Sequence, residues 1–321
     1  MRSDRTPRTI GIVLLAVVAA SPLLPQWALF LLTVAIAKGL VALGVQLQLR
    51  AGLVTFGQAL YYCLGAYTAG YLGRSLGVSD MLLQMLAGCA LAALVAYVLG
   101  FLLARYRGIY YGLLSLALSM IFYGLLAKTE ALGSTDGVNV PPSTLFGIRP
   151  GEGSVRYVVL VAGCAVAVVA TLLVNRYVRT PLGRLAAAIK DNEIRVEYMG
   201  ASVREAIHVK YAIAGALSGI GGALAATTVG HIDPDMAYWT ASGEFVFIAI
   251  LAGTRSVVAP FLGAVIFGII HTVAFEVSPN TWQMTLGIAL LLVIVFLPEG
   301  VWSLFHRKAG LRWRSSSTPG T

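Results

Sequence analysis

The lengths of the uncharged runs in this sequence limit what it can fold into more than any other feature. The 24 residues between Asp80 and Arg105 contain no Asp, Glu, Lys, Arg or His. The same holds for the 22 between Glu276 and Glu299 and the 23 between Arg50 and Arg74. About 20 consecutive apolar residues make a helix as long as the hydrocarbon core of a bilayer is thick. Only helices and closed barrels satisfy their backbone in lipid, and these unbroken runs lack the alternation of barrel strands. The chain is therefore expected to be an all-α, polytopic helical membrane protein, with 1–321 forming one transmembrane domain.

Composition agrees: 58% of residues are hydrophobic and 12% charged, which argues against a soluble fold. The net charge of +9 does not indicate nucleic-acid binding, because the basic residues flank the apolar runs. Ten spans are expected, at 10–24, 26–48, 52–73, 81–104, 108–128, 156–176, 208–229, 241–255, 259–277 and 281–304. With the N-terminus placed inside, the inner segments hold 18 of the 23 Lys and Arg residues and the outer segments hold four, leaving Lys38 within a span. The positive-inside rule then puts both termini in the cytoplasm. Ten spans divide into five plus five, and an odd number per half would make the halves inverted repeats. That reading rests on the count alone. The first 30 residues also fit a signal peptide, with Arg2, Arg5 and Arg8 before an apolar run and Ala19-Ala20-Ser21 after it; an uncleaved first helix is the preferred reading.

Two polar stretches carry most of the specific information. Residues 129–155 form an outer loop rich in Gly, Ser, Pro and Thr. Residues 177–207 form an inner segment in which Thr180 is a helix N-cap and Pro181 sits in the first turn. Leu182, Leu185, Ile189, Val196, Met199 and Val203 then recur at helical spacing, and Ser202-Val203-Arg204-Glu205 reads as a capping box opening the next helix. Two readings fit this amphipathic segment: a helix resting on lipid headgroups, or one seated in a cleft on a cytoplasmic partner. A polar tail follows at 306–321.

Gly52-Leu-Val-Thr-Phe-Gly57-Gln58, continuing to Gly65-Ala66-Tyr67, resembles the early motif of the M-type permease subunits of branched-chain amino acid ABC importers. Arg105-Tyr-Arg107-Gly108-Ile-Tyr110 is similar to the next motif, and Gly133-Ser134-Thr135-Asp136-Gly137 with Pro141 to the outer loop. Thr180-Pro181-Leu-Gly183-Arg184, then Lys190-Asp191-Asn192-Glu193 and Met199-Gly200, resembles the coupling loop. Ser242-Gly243-Glu244 and Pro260-Phe-Leu-Gly263-Ala264 match later stations. Arg255 and Ala259 depart from the pattern, standing where the family has glycine.

The resemblance implies a permease in a bacterial inner membrane. It would pair with a second homologous permease, two cytoplasmic ATPases and an extracytoplasmic binding protein. It also implies that Thr180, Pro181, Gly183, Arg184, Ile189, Asp191, Asn192, Glu193, Met199 and Gly200 form the ATPase-coupling segment. The expected cargo is a branched-chain or related amino acid, with urea, short amides and aromatic acids as alternatives. No G-x-x-x-x-G-K-[ST] occurs, so ATP is expected on partner chains and no cofactor on this one. No catalytic constellation or metal-ligand cluster is apparent either. Cys63, Cys89 and Cys164 lie in apolar runs and read as small core residues.

Lys38, Gly57, Gln58, Gly65, Asp136 and Glu244 are candidates for the translocation pathway. Lys38 sits near the middle of its span, where an isolated lysine costs roughly 2.5–3.5 kcal/mol. It is therefore expected to face a wet cavity or a paired acid. Glu244 is expected to open its helix, where the dipole favours an acid. His271 reads as a helix-contact residue, and His231, Asp233, Asp235 and Trp239 as a solvated outer loop. The stripe Gly215, Gly219, Gly221 and Gly222 reads as close helix packing, with a moving gate as the alternative. A stand-alone secondary transporter or channel is the rival class, disfavoured by the coupling-type segment and by the scarcity of intramembrane carboxylates.

Overall fold

The computed structural model describes residues 24–147, 151, 154–277, 281–296 and 300–303. All but the last residue of the expected first span, and the polar tail, lie outside them. Among the described residues eleven α-helices follow one another: α1 Gln26–Leu49, α2 Gln58–Ser75, α3 Met81–Leu103, α4 Gly108–Lys128, α5 Val155–Val178, α6 Pro181–Asp191, α7 Glu193–Tyr198, α8 Val203–Val229, α9 Trp239–Ala252, α10 Ala259–Val277 and α11 Trp282–Phe296. Six of them, α1, α3, α4, α5, α8 and α10, are long and apolar enough to cross a membrane. The chain is thus an all-α, multi-span protein, with shorter helices among the crossing ones.

Helix α8 organises the bundle, lying against α1, α2 and α3. The glycine stripe explains how. A Cβ on Gly219 would collide with the Gly88 carbonyl of α3, and one on Gly65 of α2 with the Gly219 carbonyl. A Cβ on Gly222 would collide with the Tyr62 carbonyl, and one on Gly221 would come 2.6 Å from the Ala37 carbonyl of α1. Backbones therefore touch on three sides of one helix, which only small residues permit in a lipid-embedded bundle. Of the two readings of this stripe, the structure displays the close packing.

Residues 52–57 are not helical, although the expected span began at 52. Gly52 has φ +77°, which turns the chain at the end of α1. The segment then runs beside α4, where the Phe56 amide donates to Ser115 Oγ at 3.0 Å. Ser115 Oγ in turn donates to the Gly112 carbonyl. Irregular backbone survives inside a membrane protein when protein groups satisfy it, and here α4 supplies them. At the next helix start, the Ala59 amide donates to Ser242 Oγ of α9 at 3.1 Å. This occupies one of the N–H groups that an α-helix leaves open in its first turn.

The loop after α4 is pinned down. Val138–Asn139 (β1) and His231–Ile232 (β2) form a two-stranded antiparallel pair with Val138 opposite Ile232. The expected outer loop holding His231, Asp233, Asp235 and Trp239 thus carries regular structure, with Asp235 and Trp239 exposed. His231–Ile232 is a strand, and Pro234–Ala237 is a 3-10 turn whose Met236 amide donates to Asp233 Oδ1. Trp239 already belongs to α9.

Candidate functional site

The inner segment folds as its sequence suggests. Thr180 Oγ1 accepts from the Gly183 amide at 3.2 Å to cap α6, with Pro181 in the first turn. Gly183 is required there, since a Cβ would strike the Tyr177 carbonyl. Asn192 Oδ1 accepts from the Arg195 amide to start α7, and Ser202 Oγ accepts from the Glu205 amide to start α8. Gly200, at φ +81°, turns the chain after α7. Thr180→Ala should cost about 1 kcal/mol by removing a cap; thermal unfolding of the purified protein in detergent would register it, and an unchanged midpoint would count against the cap.

Most of the apolar stripe turns toward this chain's own bundle, and Met199 does not. Ile189 is 2% exposed and Val196 1% exposed, and both belong to one buried apolar cluster that also holds Ala51, Leu53, Tyr111 and Ile207 of this same chain. Ile189 therefore anchors the segment to its own bundle rather than presenting an apolar contact to another protein. The exposed apolar groups are Ile194 (66%), Tyr198 (89%) and Met199 (67%), all on or just after α7. Pro181, Arg184, Asp191 and Asn192 are exposed beside them.

Contacts that sequence reading missed bind the segment to the membrane helices. Arg107 Nε donates to both oxygens of Glu193 at 2.8 Å, joining the Arg105–Gly108 motif to α7. The signal was an arginine and an acid in two separate motifs, with nothing in the spacing to pair them. Lys210 Nζ donates to the carbonyls of Leu182 and Ala206, tying α8 to α6. A Cβ on Gly52 would lie 3.3 Å from Lys190 Cγ, so the non-helical stretch abuts α6 as well. Arg50, half-buried at the end of α1, has its guanidinium pulled down to about 10 by desolvation.

A second polar centre lies within the helices. Lys38 is the thirteenth of the 24 residues in α1, about 17 Å from either end at 1.5 Å per residue. Its Nζ donates to Glu244 Oε2 of α9 at 2.6 Å. Glu244 is the sixth residue of its helix, so it lies beyond the first turn, and the expected dipole account gives way to this ion pair. About a fifth of each side chain remains exposed, 23% for Lys38 and 20% for Glu244. The Phe267 ring lies 5.6 Å from Nζ, and His271 one turn on is within electrostatic reach of both charges.

The other candidate pathway residues lie elsewhere. Gln58 is fully buried, and its Oε1 accepts from Ser218 Oγ at 2.8 Å. Gly57 and Gly65 sit at backbone contacts with Ser115 and Gly219. Asp136 is exposed in a 3-10 turn of the loop. At that end of the bundle, opposite α6 and α7, a cavity of about 250 Å³ is lined by Tyr67, Arg74, Leu132, Val138 and Ile232 among others. Among the described residues no group of three or more His, Cys, Asp or Glu is placed to hold a metal ion.

Comparison with known proteins bears on this arrangement directly. Residues 27–296 match the family model described as branched-chain amino acid transport system / permease component. The high-affinity branched-chain amino acid transport system permease protein LivM of Escherichia coli K12 is 29% identical over 273 residues, covering 78% of this chain and 64% of LivM. LivM of Salmonella typhimurium LT2 matches with the same identity and coverage. The chain thus spans a little under two thirds of the length of these relatives. No solved structure matches it. With the family model covering α1 through the end of α11, including both the inner segment and the Lys38–Glu244 pair, the chain belongs to the family of branched-chain amino acid transport system permease components.

Proposed function

We propose that this chain is the membrane-spanning permease subunit of an ATP-binding cassette importer. It moves branched-chain or related amino acids delivered by a binding protein, and ATPases on separate chains drive it. In this reading a second homologous permease completes the membrane unit. The chain crosses a bacterial inner membrane about ten times with both termini in the cytoplasm. The inner segment Thr180–Gly200 seats on an ATPase, and the protein itself has no enzymatic step.

The observation that most supports this reading is the pairing of anchorage and exposure in α6 and α7. Ile189 and Val196 fix the helices to α8 and to the 51–53 stretch, while Ile194, Tyr198 and Met199 stay open. A rigidly held apolar patch suits transmission of a push between proteins. A helix resting on headgroups would turn its main apolar stripe to lipid, whereas here Ile189, Val196 and Val203 of that stripe face the bundle and Met199 is open.

The test is reconstitution in liposomes of the chain alone and with its permease, ATPase and binding-protein partners, followed by uptake of labelled leucine. Uptake is expected only in the full assembly and only with ATP. ATP-independent uptake by the chain alone would replace this reading with a channel or secondary carrier. Two substitutions then separate anchorage from docking. Tyr198→Asp should leave the chain folded and reduce uptake per ATP hydrolysed by about tenfold, or about 1.4 kcal/mol of coupling. Ile189→Asp should instead lower the folded yield, because it buries a carboxylate without a partner. Normal coupled transport in the Tyr198 variant would show that α7 does not dock.

A further inference from the structure

We propose that the Lys38–Glu244 pair is a binding site for a zwitterionic amino acid in transit, the Lys38 ammonium taking the cargo carboxylate and the Glu244 carboxylate taking the cargo ammonium. The inference rests on the permease reading above and deepens it by naming where the cargo is held.

The argument begins with position. A lysine at the centre of a 24-residue apolar helix is costly in lipid, and pairing it with an acid neutralises the charge without removing the need for polar surroundings. A pair that served packing alone would be sealed, as Gln58 and Ser218 are. This one is not: about a fifth of each side chain is open at mid-helix depth. Accessible side-chain surface on both charged groups at this depth is what a site that admits a polar ligand requires.

The chemistry then selects the ligand. An α-amino acid carries an ammonium and a carboxylate one carbon apart. It can therefore exchange partners with a Lys–Glu pair while every charge stays paired and the net charge of the site stays unchanged. A single anion or cation would leave one protein charge uncompensated, which is expensive in low dielectric. Urea or an amide would have to part the ion pair and offer each charge only a neutral dipole, leaving both charges without a counter-charge in a low-dielectric setting. Phe267, 5.6 Å from Nζ, supplies an apolar wall for a branched aliphatic side chain. The site therefore favours zwitterionic cargo over the neutral alternatives.

Two measurements on the reconstituted full assembly test this. The first is leucine uptake per ATP hydrolysed for Lys38→Met/Glu244→Met, which removes both charges at near-constant volume. A loss of about tenfold or more is expected. Coupled uptake at the parental ratio would show the pair to be structural and overturn the proposal, whereas ATP-independent uptake in the parent would overturn the permease reading itself.

The second keeps the pair intact and does not depend on the double variant folding. Val34, one turn from Lys38 on the same helix, is replaced by Cys in a background lacking Cys63, Cys89 and Cys164, and its reaction with a charged thiol reagent is timed. Labelling is expected, and excess leucine should slow it by about threefold or more, while 4-methylpentanoate, which lacks the ammonium, should not. Absence of labelling, no effect of leucine, or equal slowing by the two compounds would each overturn the assignment.

Discussion

Gly219→Leu is expected to leave almost no folded protein in the membrane. Gly219 stands where three backbones converge, with a Cβ there colliding with the Gly88 carbonyl and lying 2.5 Å from the Ala92 Cβ. Overpacking an interior costs about 1–3 kcal/mol when side chains can give way. Here the wall is backbone, so α8 must part from α3, and the Gly65–Gly219 approach to α2 opens with it. Native stability is only about 5–15 kcal/mol, so losing two helix interfaces at once removes much of it. The yield of monodisperse protein after detergent extraction measures this. Gly243→Ala, with nothing within 4 Å of its added Cβ, serves as the silent control. A Gly219→Leu protein extracted at parental yield would mean that α8 does not approach α2 and α3 this closely.

That prediction was half legible in the sequence. The Gly215–Gly222 run announced a small-residue face, because spacing of three and four along a helix is a local property. Which helices it meets is a property of the whole chain, and the partners Gly65 and Gly88 lie more than 120 residues away. The caps at Thr180 and Ser202 were easier still, since each acts within three residues of itself; the cap at Asn192 is just as local but was not read.

The inner segment shows where periodicity stops being informative. Leu182, Leu185, Ile189 and Val196 marked an apolar face correctly, but an amphipathic helix has the same pattern whether its apolar side meets its own bundle or another protein. The structure turned that face inward and left Ile194, Tyr198 and Met199 open. Likewise, two two-residue strands are too short to show any alternation, and β1 and β2 went unread until the loop and the end of α8 were seen side by side. Glu244 was misplaced for a third reason: its helix begins at Trp239, so a boundary error of two residues put it in a first turn it does not occupy.

Lys38→Leu should ease insertion of α1 and yet weaken the folded protein, and the opposed signs are the point of the experiment. A central lysine costs roughly 2.5–3.5 kcal/mol on insertion scales and leucine is mildly favourable, so the substituted helix enters lipid more readily. Once the bundle forms, Glu244 has lost its ammonium at 2.6 Å and remains at mid-depth as an uncompensated carboxylate. Breaking a fully buried pair from one side costs about 3–5 kcal/mol. With a fifth of each side chain exposed, the lower end, about 3 kcal/mol, is the appropriate expectation. Lys38→Leu/Glu244→Leu removes the orphan charge as well and should be more stable than either single variant, the non-additivity that marks residues in contact. Thermal midpoints of the parent, both singles and the double in one detergent close the cycle. If the two single effects simply add in the double, the charges are not coupled, and Lys38 owes its tolerance at mid-helix to water rather than to Glu244.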